Sequence, residues 1–198
     1  MQGRFVRLEP LSRDHLAGLR AIVEGWPRER HPFALVPTLE TLDAYVEQAM
    51  TAPRTVAFAT CRADGGVVGC TRFFDLQQWD WPRGLDPRPG HVGYDACEIG
   101  YTWLAPEAQR TPVNTEAKLL MLRHAFETWG CFRVQLKTDE RNAQSRAAIE
   151  RIGGKLEGIL RANQPAADGT PRNSAYYSIL ASEWPTVRQL LDGKVLQI

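Results

Sequence analysis

Residues Glu98–Lys118 read EIGYTWLAPEAQRTPVNTEAK, and the fold turns on how they are divided. Glu98–Leu104 has the composition of a strand. Beyond Lys118, Leu119–Trp129 is an apolar run at helical spacing that stops at Gly130. Gln109–Lys118 therefore links a strand to the first turn of a helix. Free backbone N–H groups and the helix dipole make such a junction a natural phosphate site. Loops of this kind are usually rich in glycine. This one has none, and carries a proline, an asparagine and two threonines instead. Thr111 suits the N-cap and Pro112 the first helical position, where its missing N–H costs nothing.

Outward from this junction, Phe132–Thr138 is a second strand. Ala96–Thr138 is then one strand–helix–strand crossover, with its two strands parallel and joined right-handedly. Upstream, Phe5–Leu8 is a short strand. Ser12 can cap a helix through Leu16, Leu19, Ile22 and Val23, and Thr38 a second through Leu42, Tyr45, Val46 and Ala49. Thr55–Arg62 and Val67–Leu76 form a hairpin around Ala63–Gly66. Gln77–Gly93, with Trp79, Trp81 and repeated Pro and Gly, is too broken for either element and reads as a loop insertion. Downstream come a helix over Asn142–Ile152, strands Lys155–Arg161 and Ser174–Leu180, and a C-terminal helix over 182–193. The expectation is one domain over 1–198, of mixed α+β class within α/β. Its sheet has seven strands, mixed but largely antiparallel, with helices on both faces.

The composition excludes several classes. The chain has 198 residues, 43% hydrophobic and 24% charged, which suits a packed core. Lys and Arg number 24 against 23 acids, so no strong field points to nucleic acid or a membrane surface. The opening MQGRFVRLEP lacks the apolar core of a signal peptide, and no apolar stretch is long enough to span a bilayer. Cys61, Cys70, Cys97 and Cys131 show neither CxxC spacing nor paired histidines. No metal is expected, and a reduced, cytoplasmic compartment is.

The order of elements, together with EIGYTWLAP, QRTPVNTEAK and RNAQSRAAIERIGG, resembles the GNAT N-acetyltransferase superfamily, and within it the RimJ/RimL-like group. The resemblance covers nearly the whole chain and is most specific over Glu98–Gly154. It implies a GNAT-like sheet splayed between its two parallel strands, acetyl-CoA as co-substrate, and a primary amine as acceptor. The pantetheine arm would pair with backbone near Trp103 and Leu104, and the pyrophosphate would lie over the quoted loop. Gln109 fits the family pattern, but Pro112 and Asn114 replace two small residues. The donors that remain are the amides of Val113, Asn114 and Thr115, the side chains of Asn114 and Thr115, and the charge of Arg110 or Lys118.

The transfer requires a neutral amine, since an alkyl ammonium loses its proton only near pH 10. Glu98 is the candidate base. Simple alternation places it on one strand face with Gly100 and Thr102. The family often protonates the leaving thiolate with a tyrosine, which the Asn142–Ile152 helix lacks. Ser145 stands there instead, either as donor to the sulfur or as a first-turn serine bonding backbone. Asn142 would contact pantetheine, cap the helix, or both, and Arg146 would reach a CoA phosphate or serve as surface charge.

Acceptor candidates are Trp79, Trp81, Tyr101 and Tyr176. The tryptophans, with Asp80 and Asp86, can hold a cationic amine, seal a homodimer contact, or pack down as an Ω-loop. Tyr176 and Tyr177 should face opposite sides of the sheet. The function expected is acetyl transfer by direct attack in a ternary complex, to a protein N-terminal amine or a small-molecule amine. The alternative is a non-catalytic acyl-CoA-binding module. A dinucleotide site is disfavoured because no GxGxxG follows the strand.

Overall fold

A computed structural model of the chain describes residues 1–196. In chain order the elements are β1 (Val6–Pro10), α1 (Leu16–Glu24), α2 (Leu42–Thr51), β2 (Val56–Arg62), β3 (Val67–Gln77), β4 (Ala96–Leu104), α3 (Pro112–Arg123), β5 (Arg133–Asp139), α4 (Ala143–Arg151), β6 (Lys155–Pro165), β7 (Pro171–Leu180) and α5 (Trp184–Leu196). The strands form one seven-stranded sheet in the order β1-β2-β3-β4-β5-β7-β6. Strands β4 and β5 run parallel, as the crossover requires, and every other neighbouring pair is antiparallel. This is the expected class, with each element near its expected place. The last hairpin is longer than the sequence suggests, because β6 and β7 extend to Pro165 and Pro171 through residues that read as turn.

Alternation sorts the strand side chains into two cores. Phe73, Cys97, Ile99, Val134, Leu136 and Tyr177 face Val113, Met121 and Leu122 of α3, Ile149 of α4, and Val187 and Leu191 of α5. Ala59, Cys61, Cys70 and Trp103 face Leu19 and Val23 of α1 and Leu42, Val46 and Ala49 of α2. Helices thus cover both faces. Glu116, on α3, is almost fully buried, and its carboxylate accepts the N–H groups of Arg4, Phe5 and Val6 at 2.7, 2.6 and 2.9 Å. It ties the start of β1 to the crossover helix.

Strand β4 departs from a regular ladder on both of its edges. It pairs with β5 only over Ala96–Glu98, opposite Arg133–Gln135, and beyond Glu98 the two strands part. On its other side the register with β3 slips between Gly100 and Trp103, and there Tyr101 takes a φ of 49°. A bulge adds one residue and reverses the alternation. Thr102 therefore turns toward α3 and not to the face of Glu98. Its hydroxyl lies 2.6 Å from the Lys118 amine. Nothing in the residue types forecasts this reversal, since a tyrosine seldom adopts positive φ.

Candidate active site

The parting of β4 from β5 opens a cleft of about 500 Å³ that passes through the sheet. On the α3–α4 side it is lined by Leu104, Gln109, Asn114, Lys118, Asn142, Ser145 and Ile149. On the α1–α2 side it is lined by Phe74, Glu98, Gly100, Tyr101, Lys137 and Arg172, under the Arg30–Leu35 segment. The structure thus brings together Glu98, Tyr101, Trp103, Leu104, Gln109 and Asn114 from the strand–loop–helix segment with Asn142 and Ser145 from the start of α4.

Both helix starts that border the cleft are capped as their sequences direct. Thr111 has extended backbone and its hydroxyl accepts from the Val113 N–H at 3.4 Å, with Pro112 as the first helical residue. The Asn142 side chain accepts from the Ser145 N–H at 3.0 Å. The Val113 amide is therefore already engaged. Asn114 projects into the cleft, and the buried oxygen of its amide has no hydrogen-bond partner among the described residues. A buried polar atom left this way points to an absent partner. Gln109 donates to the Leu104 carbonyl at 3.0 Å, which fixes the loop against the end of β4.

Other candidates point elsewhere. Thr115 is buried and its hydroxyl accepts from Arg151 at 3.0 Å, between α3 and α4, so its side chain does not reach the loop mouth. Arg110 is exposed, with φ of 58°, and lies outside the cleft lining. Arg146 donates to the Tyr177 hydroxyl at 2.9 Å and to the Glu140 carbonyl, which turns it away from the cleft. Trp79 and Trp81 lie outside the lining of the cleft. β3 is antiparallel to β4, so the Gln77–Gly93 loop leaves at the closed end of the split. There Trp79 stacks on Phe132, and Asp95 accepts from the Trp79 N–H and the Trp81 indole while pairing with Arg88. The loop packs around a buried carboxylate and contributes nothing to the cleft. Tyr176 and Tyr177 do face opposite sides. Tyr177 is in the core, and Tyr176 lies beside Lys137, 5.4 Å from ring centre to amine.

Glu98 is buried, and one carboxylate oxygen accepts from Gln135 at 2.7 Å and pairs with Lys137 at 3.2 Å. Burial raises its pKa above the ordinary value, while Lys137 and Gln135 oppose that rise. A carboxylate held this way accepts a proton more readily than a solvated one. The Lys118 amine is also buried, and bonds the hydroxyls of Thr71 and Thr102 at 3.0 and 2.6 Å, with no carboxylate partner among the described residues. Desolvation pulls its pKa down to about 7.

Sequence reading placed Lys118 near the loop mouth as added charge. The signal it missed is position: the residue falls on the helix face shared with Met121, which the sheet covers. The folded pKa lies below the unfolded one. The unfolded chain therefore binds the extra proton between about pH 7 and the ordinary lysine value of 10.5, and the destabilisation is complete below pH 7. Lys118→Met is expected to raise stability by on the order of 2 kcal/mol at pH 6. The gain should shrink steadily toward pH 10, as read by denaturant unfolding across that range. A gain independent of pH would show that lysine charge is not the cause.

A family model described as "Acetyltransferase (GNAT) domain" matches residues 6–155. Among curated proteins, a Bacillus subtilis (strain 168) protein named "Putative ribosomal N-acetyltransferase YdaF" is 37% identical over 88 residues, 44% of this chain and 47% of that protein. The chain thus aligns with about half the length of that relative. A T. thermophilus structure titled a "putative acetyltransferase" is 36% identical, with a TM-score of 0.78 over 98% of this chain and 96% of that one. Mycobacterium smegmatis RimJ in complex with CoA-disulfide shares the fold at 19% identity, with a TM-score of 0.75 over 96% of this chain and 88% of that one.

Proposed function

With the chain belonging to the GNAT acetyltransferase family, and so an N-acyltransferase, we propose that it moves an acetyl group from acetyl-CoA to a primary amine by direct attack in a ternary complex. The observation that carries this reading is the parting of β4 from β5 just after the buried Glu98. The edge of β4 beyond Glu98, bulged at Tyr101, offers backbone donors and acceptors unpaired by β5 to the amides of a pantetheine arm. The α3 and α4 starts border the same cleft, where the Asn114 amide NH2 and the helix dipole of α3 would receive the pyrophosphate, and the unpaired Asn114 oxygen would accept from a pantetheine N–H.

On the opposite face, the acceptor nitrogen would meet Glu98, directly or through one water. Glu98 takes one proton from the acceptor ammonium and releases it to solvent, and the freed lone pair then attacks the thioester carbonyl, so that the C–N bond forms as the carbonyl oxygen takes the negative charge. A β4-edge N–H beyond Glu98 would steady the oxyanion. The C–S bond then breaks as the carbonyl re-forms, the surplus proton on the acceptor nitrogen passes to Glu98, and the thiolate takes a proton from solvent relayed through the Ser145 hydroxyl, which lines the cleft. The products are an amide and free CoA thiol. The acceptor is a protein N-terminal amine or a small amine.

Acetyl-CoA at about a hundred times its Kd adds about 2.7 kcal/mol of stability. It is expected to raise the Tm by roughly 5–10 °C. Asn114→Ala should weaken binding about tenfold, as expected when a hydrogen bond to a charged group is lost. Release of CoA thiol that depends on an added amine then establishes transfer. Absence of any thermal shift with acetyl-CoA or CoA would overturn the donor assignment.

A further inference from the structure

The charges that line the cleft are unequal. Arg30, Lys137, Arg141 and Arg172 border it, and Glu98 is the one carboxylate among its lining residues. That carboxylate is already shared by Lys137 and Gln135. Arg141 is satisfied by Asp139 and Asp168 at 2.8 Å each. Arg172 is different. It is 6% exposed, lies on β7, and its side chain donates one hydrogen bond, from Nε to the Ser174 hydroxyl at 2.9 Å. No carboxylate stands at ion-pair distance from it among the described residues. Asp139 and Glu98 act on its charge only through space, and burial opposes that charge.

A guanidinium does not deprotonate in a protein, so this one remains a cation without a counter-ion. Its Nε is engaged, while its Nη groups reach the cleft with no protein partner among the described residues and are free to meet an anion from outside. The CoA phosphates are poorly placed to supply that anion. Arg172 shares a β7 face with Ser174 and Tyr176, opposite the Ala175–Tyr177 face that packs toward α3, α4 and α5. The helix starts proposed for the phosphates are on that other side. Nearby on the Arg172 side, Arg72 is also buried, with its guanidinium 3.7 Å from the Tyr101 ring centre and its Nη2 without a partner among the described residues.

Resting on the transferase reading above, we propose that the acceptor carries a carboxylate on the same molecule as its amine, and that Arg172 receives the carboxylate while the nitrogen sits at Glu98. Arg172 is thus a specificity-determining residue. The planar fork of the guanidinium pairs with a carboxylate through two parallel hydrogen bonds. The same field works against polycations such as polyamines, because Glu98 alone cannot offset several positive charges.

The test measures CoA thiol release at saturating acetyl-CoA with matched acceptors: glycylglycine and glycylglycinamide, L-aspartate and its diamide, O-phosphoethanolamine and ethanolamine, and spermidine. Rates are compared per neutral amine. The carboxylate member of each of the first two pairs should be favoured at least tenfold in kcat/KM, mainly through KM. Arg172→Gln should collapse that ratio, and Arg172→Lys should restore part of it. The phosphate pair shows whether the site reads carboxylate geometry or negative charge alone. A ratio near one, a ratio that survives Arg172→Gln, a phosphate preference above the carboxylate one, or spermidine as the best acceptor would each overturn the proposal. So would turnover confined to uncharged amines, or none at all from an enzyme that binds acetyl-CoA. Failure to bind acetyl-CoA is a separate result and removes the donor reading first.

Discussion

Glu98→Gln is expected to lower kcat by about 10²–10⁴-fold, the usual contribution of a positioned general base. The variant keeps the shape, and its amide can still bond Gln135. Binding of acetyl-CoA on the other face should change little, so the thermal shift with acetyl-CoA serves as the control. The wild-type pH profile carries the second half of the test. The base works deprotonated, so rate falls as pH drops through its pKa. Burial sets that pKa above the ordinary glutamate value, and the acid limb should appear at correspondingly higher pH. Lys137→Met removes the cation that opposes the rise, and the limb should move higher still. A Glu98→Gln enzyme within threefold of wild type, with the same profile, would assign proton removal to water and leave Glu98 as a partner for Lys137.

Glu116→Ala should produce the largest loss of stability, about 2–4 kcal/mol. Three consecutive N–H groups converge on this one carboxylate, and that of Val6 is buried among apolar side chains. Alanine leaves them without acceptors, and each buried orphan costs on the order of 1–3 kcal/mol. Arg4 is exposed and its amide can turn to water, which keeps the total below the sum of three. The Tm should fall by roughly 5–15 °C, given about 2–4 °C per kcal/mol at this chain length. Glu116→Gln keeps one acceptor oxygen and should lose about half as much. Equal losses for the two variants would mean that the carboxylate charge matters more than the number of oxygens. Glu116 faces away from the cleft, so acetyl-CoA should stabilise both variants as it does wild type.

The architecture was legible because its cues are local. The crossover over Ala96–Thr138 follows from period-2 and period-3.6 patterns side by side, and the Thr111–Pro112 and Asn142 helix starts follow from cap chemistry. What escaped the sequence depends on direction in space. Thr115 and Asn114 are neighbours of similar polarity, yet a 100° step around α3 sends one into the interface with Arg151 and the other into the cleft. Thr102 was misplaced because one left-handed tyrosine inverted a face. The tryptophans of Gln77–Gly93 offered several roles in the sequence, and the antiparallel pairing of β3 with β4 sets which end of the split they occupy. Arg172 lay hidden because the strand read from sequence starts at Ser174, whereas the β6–β7 ladder reaches Gln164 opposite Arg172 and Pro165 opposite Pro171.

The short ladder between β4 and β5 also has a mechanical meaning. Four strands stand on one side of it and three on the other, joined within the sheet by three residue pairs at one end. A seam fastened at one end behaves as a hinge, and its stiffness is set by what spans the gap. In the chain itself, α3 and the π-helical turn His124–Thr128 that continues it are braced against α5 through the Arg123–Asp192 pair and the Phe126–Trp184 stack. A pantetheine arm in the split would add a rung at the loose end and damp the opening of the two leaves. Amide hydrogen exchange in Tyr101–Leu104 and Leu136–Asp139 should therefore slow far more on loading with CoA than exchange in β1 or β6, which lie at the outer edges of the sheet.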